Sequence, residues 1–153
     1  MSTTSMKQDL TPSEHAGGCH CGAVTLRASV PLQAPINCHC GLCRRLSGAA
    51  FTTWLSLPAE ALEVRGADHL QAYRPTGNLE RLFCSRCGTH LMTRDARFGH
   101  ITGVPAGVMP DGDVPPASGE YFVSHKASWQ PLAGHVPCFG GETGFEPVPH
   151  PAA

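Results

Sequence analysis

Three thiols lie within six residues in the stretch Cys38-His39-Cys40-Gly41-Leu42-Cys43. Sulfur ligands of one tetrahedral zinc each sit about 2.3 Å from the metal, and so about 3.8 Å from one another. Alternate residues of an extended chain point the same way, so Cys38 and Cys40 can reach one metal while His39 points opposite. Gly41 then lets the chain turn tightly enough for Cys43 to close on the same point. The stretch supplies three ligands, whereas a closed structural site has four. If Cys138 or a histidine takes the fourth place, the site is structural. If the place is open, as in catalytic zinc sites, it can take water or substrate.

Four more cysteines form two pairs. Cys19-His20-Cys21 lacks a local second pair. Cys84-Ser85-Arg86-Cys87-Gly88 is a zinc-knuckle turn, in which the glycine can take a positive φ and turn backbone N–H groups toward the thiolates. Together the pairs make a complete four-thiolate structural site. Such a site ties the first strand to a segment about sixty residues later, and closing a long loop constrains the unfolded chain most. The partition is not forced, since Cys19 and Cys21 can equally pair with thiols of the central stretch.

The eighth cysteine, Cys138, sits beside Pro137 and Phe139, a setting that suits a small buried apolar side chain. His39 is a pocket group or a support behind the ligands, and His20 a solvated spacer. His90, His100, His125 and His135 have no ligand spacing. Arg44 and Arg45 follow the central stretch directly. They can offset the net charge of a three-thiolate zinc or clamp a substrate carboxylate. Trp54 and Phe51 read as core residues.

These residues need a scaffold of short elements. The chain has 153 residues, enough for one domain with a core, and carries 17 glycines and 14 prolines, which favours strands and turns over long helices. Ala23 to Val30 reads as a strand with Val24, Leu26, Ala28 and Val30 on one face. Arg44 to Ala50 allows one helical turn. Further strands are Phe51–Leu57, Ala61–Val64, His69–Tyr73, Leu79–Phe83, His90–Thr93, Phe98–Val104 and Tyr121–Ser124. Val104 to Gly119 reads as loop, and Trp129 to Phe145 as an irregular segment packed on the domain. The organisation expected is a flexible leader over 1–16, one zinc domain over 17–145 and a flexible tail over 146–153.

The formal charge of −1, from 11 Lys+Arg and 12 Asp+Glu, gives no electrostatic reason to expect nucleic acid or an anionic membrane as partner. Met1 to Leu10 is polar and no apolar run is long enough for a membrane helix. The reading is therefore a cytoplasmic protein with reduced thiols, in which eight cysteines serve metal rather than disulfides.

Three motifs resemble one family. Gly17-Gly18-Cys19-His20-Cys21-Gly22-Ala23-Val24, Cys38-His39-Cys40-Gly41-Leu42-Cys43-Arg44 and Phe83-Cys84-Ser85-Arg86-Cys87-Gly88-Thr89 are similar to those of the glutathione-dependent formaldehyde-activating enzymes, a family that includes the centromere protein V type. Ser124-His125-Lys126-Ala127-Ser128-Trp129 resembles its closing motif. The resemblance spans about Gly17 to Phe139. It implies a mainly β, Mss4-like fold of small sheets held by zinc. It implies two zinc ions per chain, a structural one on Cys19, Cys21, Cys84 and Cys87 and a catalytic one on Cys38, Cys40 and Cys43. The implied activity is that of a carbon–sulfur lyase acting on the adduct of a small thiol, such as glutathione, and an aldehyde, such as formaldehyde. The rival is a non-catalytic zinc module that binds a protein partner.

Overall fold

The computed structural model describes residues 14–132 and 134–151. Most of the expected leader therefore lies outside the described residues. The described chain is mainly β. Its strands are β1 (His15–Gly18), β2 (Thr25–Ala28), β3 (Ile36–Cys38), β4 (Thr52–Pro58), β5 (Leu62–Arg65), β6 (Leu70–Tyr73), β7 (Leu79–Cys84), β8 (His90–Asp95), β9 (Ile101–Pro105), β10 (Glu120–Tyr121), β11 (Cys138–Gly140) and β12 (Glu146–Val148). A short helix, α1 (Gly41–Ser47), lies between β3 and β4. Single 3-10 turns occupy several of the connections.

The strands fall into two compact units. The first comprises the described residues up to Gln33 together with Ser56–Val114. Here β1, β2 and β5 form an antiparallel sheet, with Gly18 opposite Thr25 and Thr25 opposite Arg65. Of the face expected over Ala23–Val30, Val24, Leu26 and Ala28 are buried, while Val30 lies past the end of the shorter strand and is only half-buried. A second antiparallel run places β8 between β7 and β9, with β6 on the far side of β7. Leu57, Leu82, Leu91, Met92 and Val104 are buried in this unit.

The second unit comprises Ala34–Leu55 and the described residues from Pro115 on. In it β3 lies antiparallel to the first half of β4, with Cys38 opposite Thr52, and parallel to β10, with Tyr121 opposite Cys38. On the far side β10 pairs parallel with β11, which turns back antiparallel to β12. Tyr121 stacks on Phe139 at 4.5 Å, and Phe145 meets Tyr121 and Phe122 edge-on.

Several elements differ from the sequence reading, each for a physical reason. β1 takes in His15 and Ala16, which that reading places in the leader. It carries no apolar alternation because its glycines fit tight space: a Cβ on Gly17 would lie 2.2 Å from the Val108 carbonyl oxygen. α1 starts at Gly41, inside the cysteine stretch, because Cys40 caps it. The expected strand Tyr121–Ser124 stops at Tyr121. Phe122 takes a left-handed backbone (φ 58°), and Val123–His125 curls into a 3-10 turn. Glu146–Val148 is paired to β11 where a frayed tail is expected. Its proline gives no strand-forming pattern, yet proline is tolerated on a short strand at a sheet edge.

Candidate functional site

The first cluster is made by two hairpin loops. Cys19–Val24 joins β1 to β2 and is closed by a Cys19 N–H bond to the Val24 carbonyl at 3.0 Å. Ser85–Thr89 joins β7 to β8 and is closed by a Cys84 N–H bond to the Thr89 carbonyl at 2.9 Å. Each loop turns at a glycine that directly follows a cysteine, Gly22 (φ 81°) and Gly88 (φ 79°), a conformation that costs other residues strain. The Cys19 and Cys21 sulfurs are 3.6 Å apart, and those of Cys21 and Cys84 are 3.8 Å apart. All four sulfurs, with Cys87, lie within 4.8 Å of one another.

These distances are those of sulfurs around one tetrahedral ion, about 3.8 Å. The donors around them fit thiolates. The Val24 N–H points at the Cys19 sulfur at 3.3 Å. The Thr89 hydroxyl lies 3.2 Å from the Cys87 sulfur and, with the Thr89 N–H, holds that thiol down at about 5. The four residues thus fit a single bound dication.

The second cluster sits where β3 runs into α1. Tyr121 opposite Cys38 fixes the end of the strand. Cys40 is extended (φ −63°, ψ 154°) and caps the helix, its sulfur accepting the Cys43 N–H at 3.3 Å. One helical turn then carries Cys43 back, so that the Cys38, Cys40 and Cys43 sulfurs lie within 4.8 Å of one another. Cys38 and Cys43 are buried and Cys40 is half-buried. The sulfurs of Cys40 and Cys43, and burial, push the Cys38 thiol far up. Three crowded sulfurs therefore resist ionising together unless a cation balances them, and the donor set suits a soft dication. Among the described residues, no fourth cysteine, histidine or carboxylate joins this group.

The surroundings of this cluster are apolar on one side and hydrogen-bonded on the other. Trp54 packs with Cys38 and Cys43, and Ile36 and Phe122 pack against them. The Trp54 indole N–H donates to the Cys43 sulfur at 3.4 Å. His39, between the two ligands, is fully buried and points to the Glu120 carboxylate, with Nε2 and Oε2 2.6 Å apart. The other Glu120 oxygen accepts from the Asn37 amide at 3.0 Å, and Asn37 accepts the Thr53 hydroxyl at 2.7 Å. Ligating segments held by such outer hydrogen bonds keep their geometry.

The structure thus brings together Cys19, Cys21, Cys84 and Cys87 in one group and Cys38, Cys40 and Cys43 in another. Cys138 stands in β11, buried, opposite Glu120 and outside both groups. His20 is exposed. Sequence reasoning treats Trp54 as core, which it is, but misses its bond to Cys43. It also misses Glu120, whose only signal is a lone acid at the head of an aromatic pair, and Phe122, whose backbone no pattern announces.

The family model described as glutathione-dependent formaldehyde-activating enzyme matches residues 14–125. A Halomonas elongata protein, named as a candidate glutathione-dependent formaldehyde-activating enzyme, is 34% identical over 136 residues, covering 82% of this chain and 86% of its own. A protein of Schizosaccharomyces pombe, named as an uncharacterized lyase, is 31% identical over 78 residues, 51% of this chain and 56% of its own. The crystal structure of a Rhodobacter sphaeroides protein superposes with a TM-score of 0.52 at 25% identity, covering 65% of this chain and 91% of that one. With the motif cysteines gathered as described and more than half the sequence matched, the chain belongs to the glutathione-dependent formaldehyde-activating enzyme family.

Proposed function

We propose that the protein is a zinc-dependent carbon–sulfur lyase that makes or breaks the adduct of a small thiol and an aldehyde, S-hydroxymethylglutathione being the model substrate. In the forward direction the thiol loses its proton, a sulfur–carbon bond forms to the carbonyl carbon, and the carbonyl oxygen gains a proton. Nothing is oxidised or reduced. The observation that carries this reading is the three-sulfur group, to which no fourth described ligand belongs.

Cys19, Cys21, Cys84 and Cys87 would hold a structural zinc, and Cys38, Cys40 and Cys43 a catalytic one. Bound there, the second zinc would supply a Lewis-acidic centre that keeps a substrate thiol as thiolate at neutral pH. The chain's own residues do the rest. Cys40, half-buried at the helix cap, sets the open side of the group. Trp54 and Phe122 give it an apolar wall that limits water. The bond from Trp54 draws charge from the Cys43 sulfur and keeps the ligand field from becoming too electron-rich. All eight cysteines are free, which fits a reducing compartment such as the cytoplasm. Among the described residues, no helix is long and apolar enough to cross a membrane.

Cobalt substitution tests the reading. Glutathione should shift the thiolate-to-metal absorption saturably, and Cys40→Ser should remove the response. If no thiol perturbs the spectrum of a protein whose central cluster is loaded, the site is closed. The protein is then a zinc-held interaction module.

A further inference from the structure

A run of aromatic side chains leads away from the three-cysteine group. Phe122 packs against the cluster of Cys38, Cys43 and Trp54. Its ring meets that of Phe145 edge-on, with centroids 5.3 Å apart. Phe145 also meets Tyr121 at 5.7 Å, and Tyr121 stacks on Phe139. Phe145 is 62% exposed, whereas the other three are half-buried. The result is an aromatic ledge that starts at the ligating cysteines and ends in solvent.

The ledge is held from both ends. Tyr121 lies opposite Cys38, and its carbonyl accepts the His39 N–H at 2.9 Å. Phe122 follows directly, and among the described residues it is the one non-glycine with a positive φ. A bulky residue in that region is strained, and such strain persists where the surroundings impose it, most often at binding or catalytic sites. Here the loop from Gly140 to Phe145 imposes it. The Gly141 N–H donates to the Ser124 hydroxyl at 2.8 Å, and the Phe122 N–H donates to the Gly144 carbonyl at 3.2 Å. Gly144 is buried against the Phe122 ring, where a side chain has no room. The same loop thus fixes Phe122 beside the cysteines and sets Phe145 upon it.

Size decides what the ledge can receive. A stable contact between two proteins takes about 800 Å² from each partner. A whole aromatic side chain buries about 150–250 Å², and Phe145 alone in this run is largely exposed. That area matches one ring or a short hydrocarbon group. Continuity decides what the group is attached to. A sulfur seated at the three-cysteine group holds its reacting carbon one bond out, and that carbon's substituent one bond further, within reach of Phe122. Formaldehyde bears only hydrogens there and would leave the ledge uncovered.

We infer that the aldehyde carries an apolar, ring-sized substituent, which lies on Phe122 and Phe145 while its carbonyl carbon bonds the thiol sulfur at the Cys38–Cys40–Cys43 group. The inference rests on the thiol–aldehyde reading above and names the class of aldehyde. The sulfur–carbon bond forms, the carbonyl π pair passes to oxygen, and the oxygen takes the proton that the thiol gave up.

The test uses the cobalt-loaded protein with ethanethiol and with phenylmethanethiol, which places a ring one carbon from sulfur as the adduct would. Binding is read from the thiolate-to-metal absorption. Phe145→Ala should lower the affinity for phenylmethanethiol relative to ethanethiol about tenfold, the worth of one aromatic contact. Phe145→Trp should keep the parent ratio. With 2-mercaptoethanol as the common thiol, Phe145→Ala should also cut kcat/KM for benzaldehyde relative to formaldehyde by a similar factor. An unchanged thiol ratio in Phe145→Ala overturns the ledge assignment and leaves the thiol site standing. So does a parent dimer that Phe145→Ala converts to monomer in sedimentation, since the ring then covers a second copy. If neither thiol moves the band of the loaded protein, the thiol reading falls, and the aldehyde assignment with it.

Discussion

The indole N–H of Trp54 points at the Cys43 sulfur across 3.4 Å, and both residues are buried. A neutral N–H aimed at a sulfur in an apolar setting favours the thiolate over the thiol. Trp54→Phe keeps most of the packing and removes that donor. Metal affinity of the central cluster should fall by about 10–100-fold, as when other outer-shell partners are removed, and the cobalt charge-transfer band should shift. Competition with a chromophoric chelator measures the first, and an unchanged affinity would show the bond to be incidental.

The two clusters should differ in what their loss does. Zinc analysis of protein purified without chelator should give close to two ions per chain. Cys84, fully buried in the four-sulfur group, should be indispensable, and Cys84→Ser should unfold or aggregate the protein, because structural metal binding supplies folding free energy directly. Cys40→Ser should lower Tm by less than about 8 °C, the size of a 2 kcal/mol change, and abolish the thiol response. Equal thermal losses would contradict the division of roles.

Cys87 predicts how the four-sulfur group responds to acid. The Thr89 hydroxyl, then the Thr89 N–H, brings its thiol from 9.0 down to about 5. A depressed folded value means that the associated stabilisation is complete above the unfolded value. It is lost as pH falls through about 5. Protons compete with metal for the four sulfurs, so metal should be held at neutral pH and released in acid. Thr89→Val should move the release upward in pH, as read by chelator absorbance along a pH titration. The same midpoint in both proteins would remove Thr89 from the account.

Glu120 accepts from Asn37 and faces His39 at 2.6 Å, with little exposure. Glu120→Ala would leave the buried His39 and the half-buried Asn37 amide without this partner. The cost should be about 1–3 kcal/mol, set chiefly by His39. Glu120→Gln, which keeps the shape and an acceptor, should cost less. Chemical denaturation of the metal-loaded proteins gives both values, and near-equal values for the two variants would argue against the network.

Gly144 (φ 84°) supplies the carbonyl that accepts the Phe122 N–H at 3.2 Å, and a Cβ there would meet the Phe122 ring at 2.2 Å. Gly144→Ala must therefore push Phe122 from the cysteine site. We expect about 1–3 kcal/mol of lost stability and a weaker thiol response, although residue 144 touches no ligand. A wild-type response would detach Phe122 from the site wall.

The cysteine groups were readable because ligand spacing is local chemistry: Cys38, Cys40 and Cys43 must converge on whatever chain geometry brings β3 into α1. β2 was readable because alternating side chains declare a buried face. What stayed hidden depends on distant partners. Glu120 is informative only once β10 lies parallel to β3, a pairing over more than eighty residues. His15 and Ala16 look like leader because they carry no apolar alternation and pair only with the distant Ala28 and Arg27. β11 and β12 are three residues each, too short to show alternation amid prolines and glycines.

The four-sulfur group joins cysteines 63 residues apart, whereas the three-sulfur group is complete within six residues. On a nascent chain these close at different times. Synthesis at about 5–20 residues per second separates Cys43 from Cys87 by about 2–9 s. In that interval Cys19, Cys21, Cys38, Cys40 and Cys43 are all available and the proper partners of the first pair do not yet exist. A metal arriving early can recruit the wrong foursome, and only ligand exchange after Cys87 emerges restores the right one. The moment of metal delivery, as much as its amount, thus decides how cleanly this chain matures.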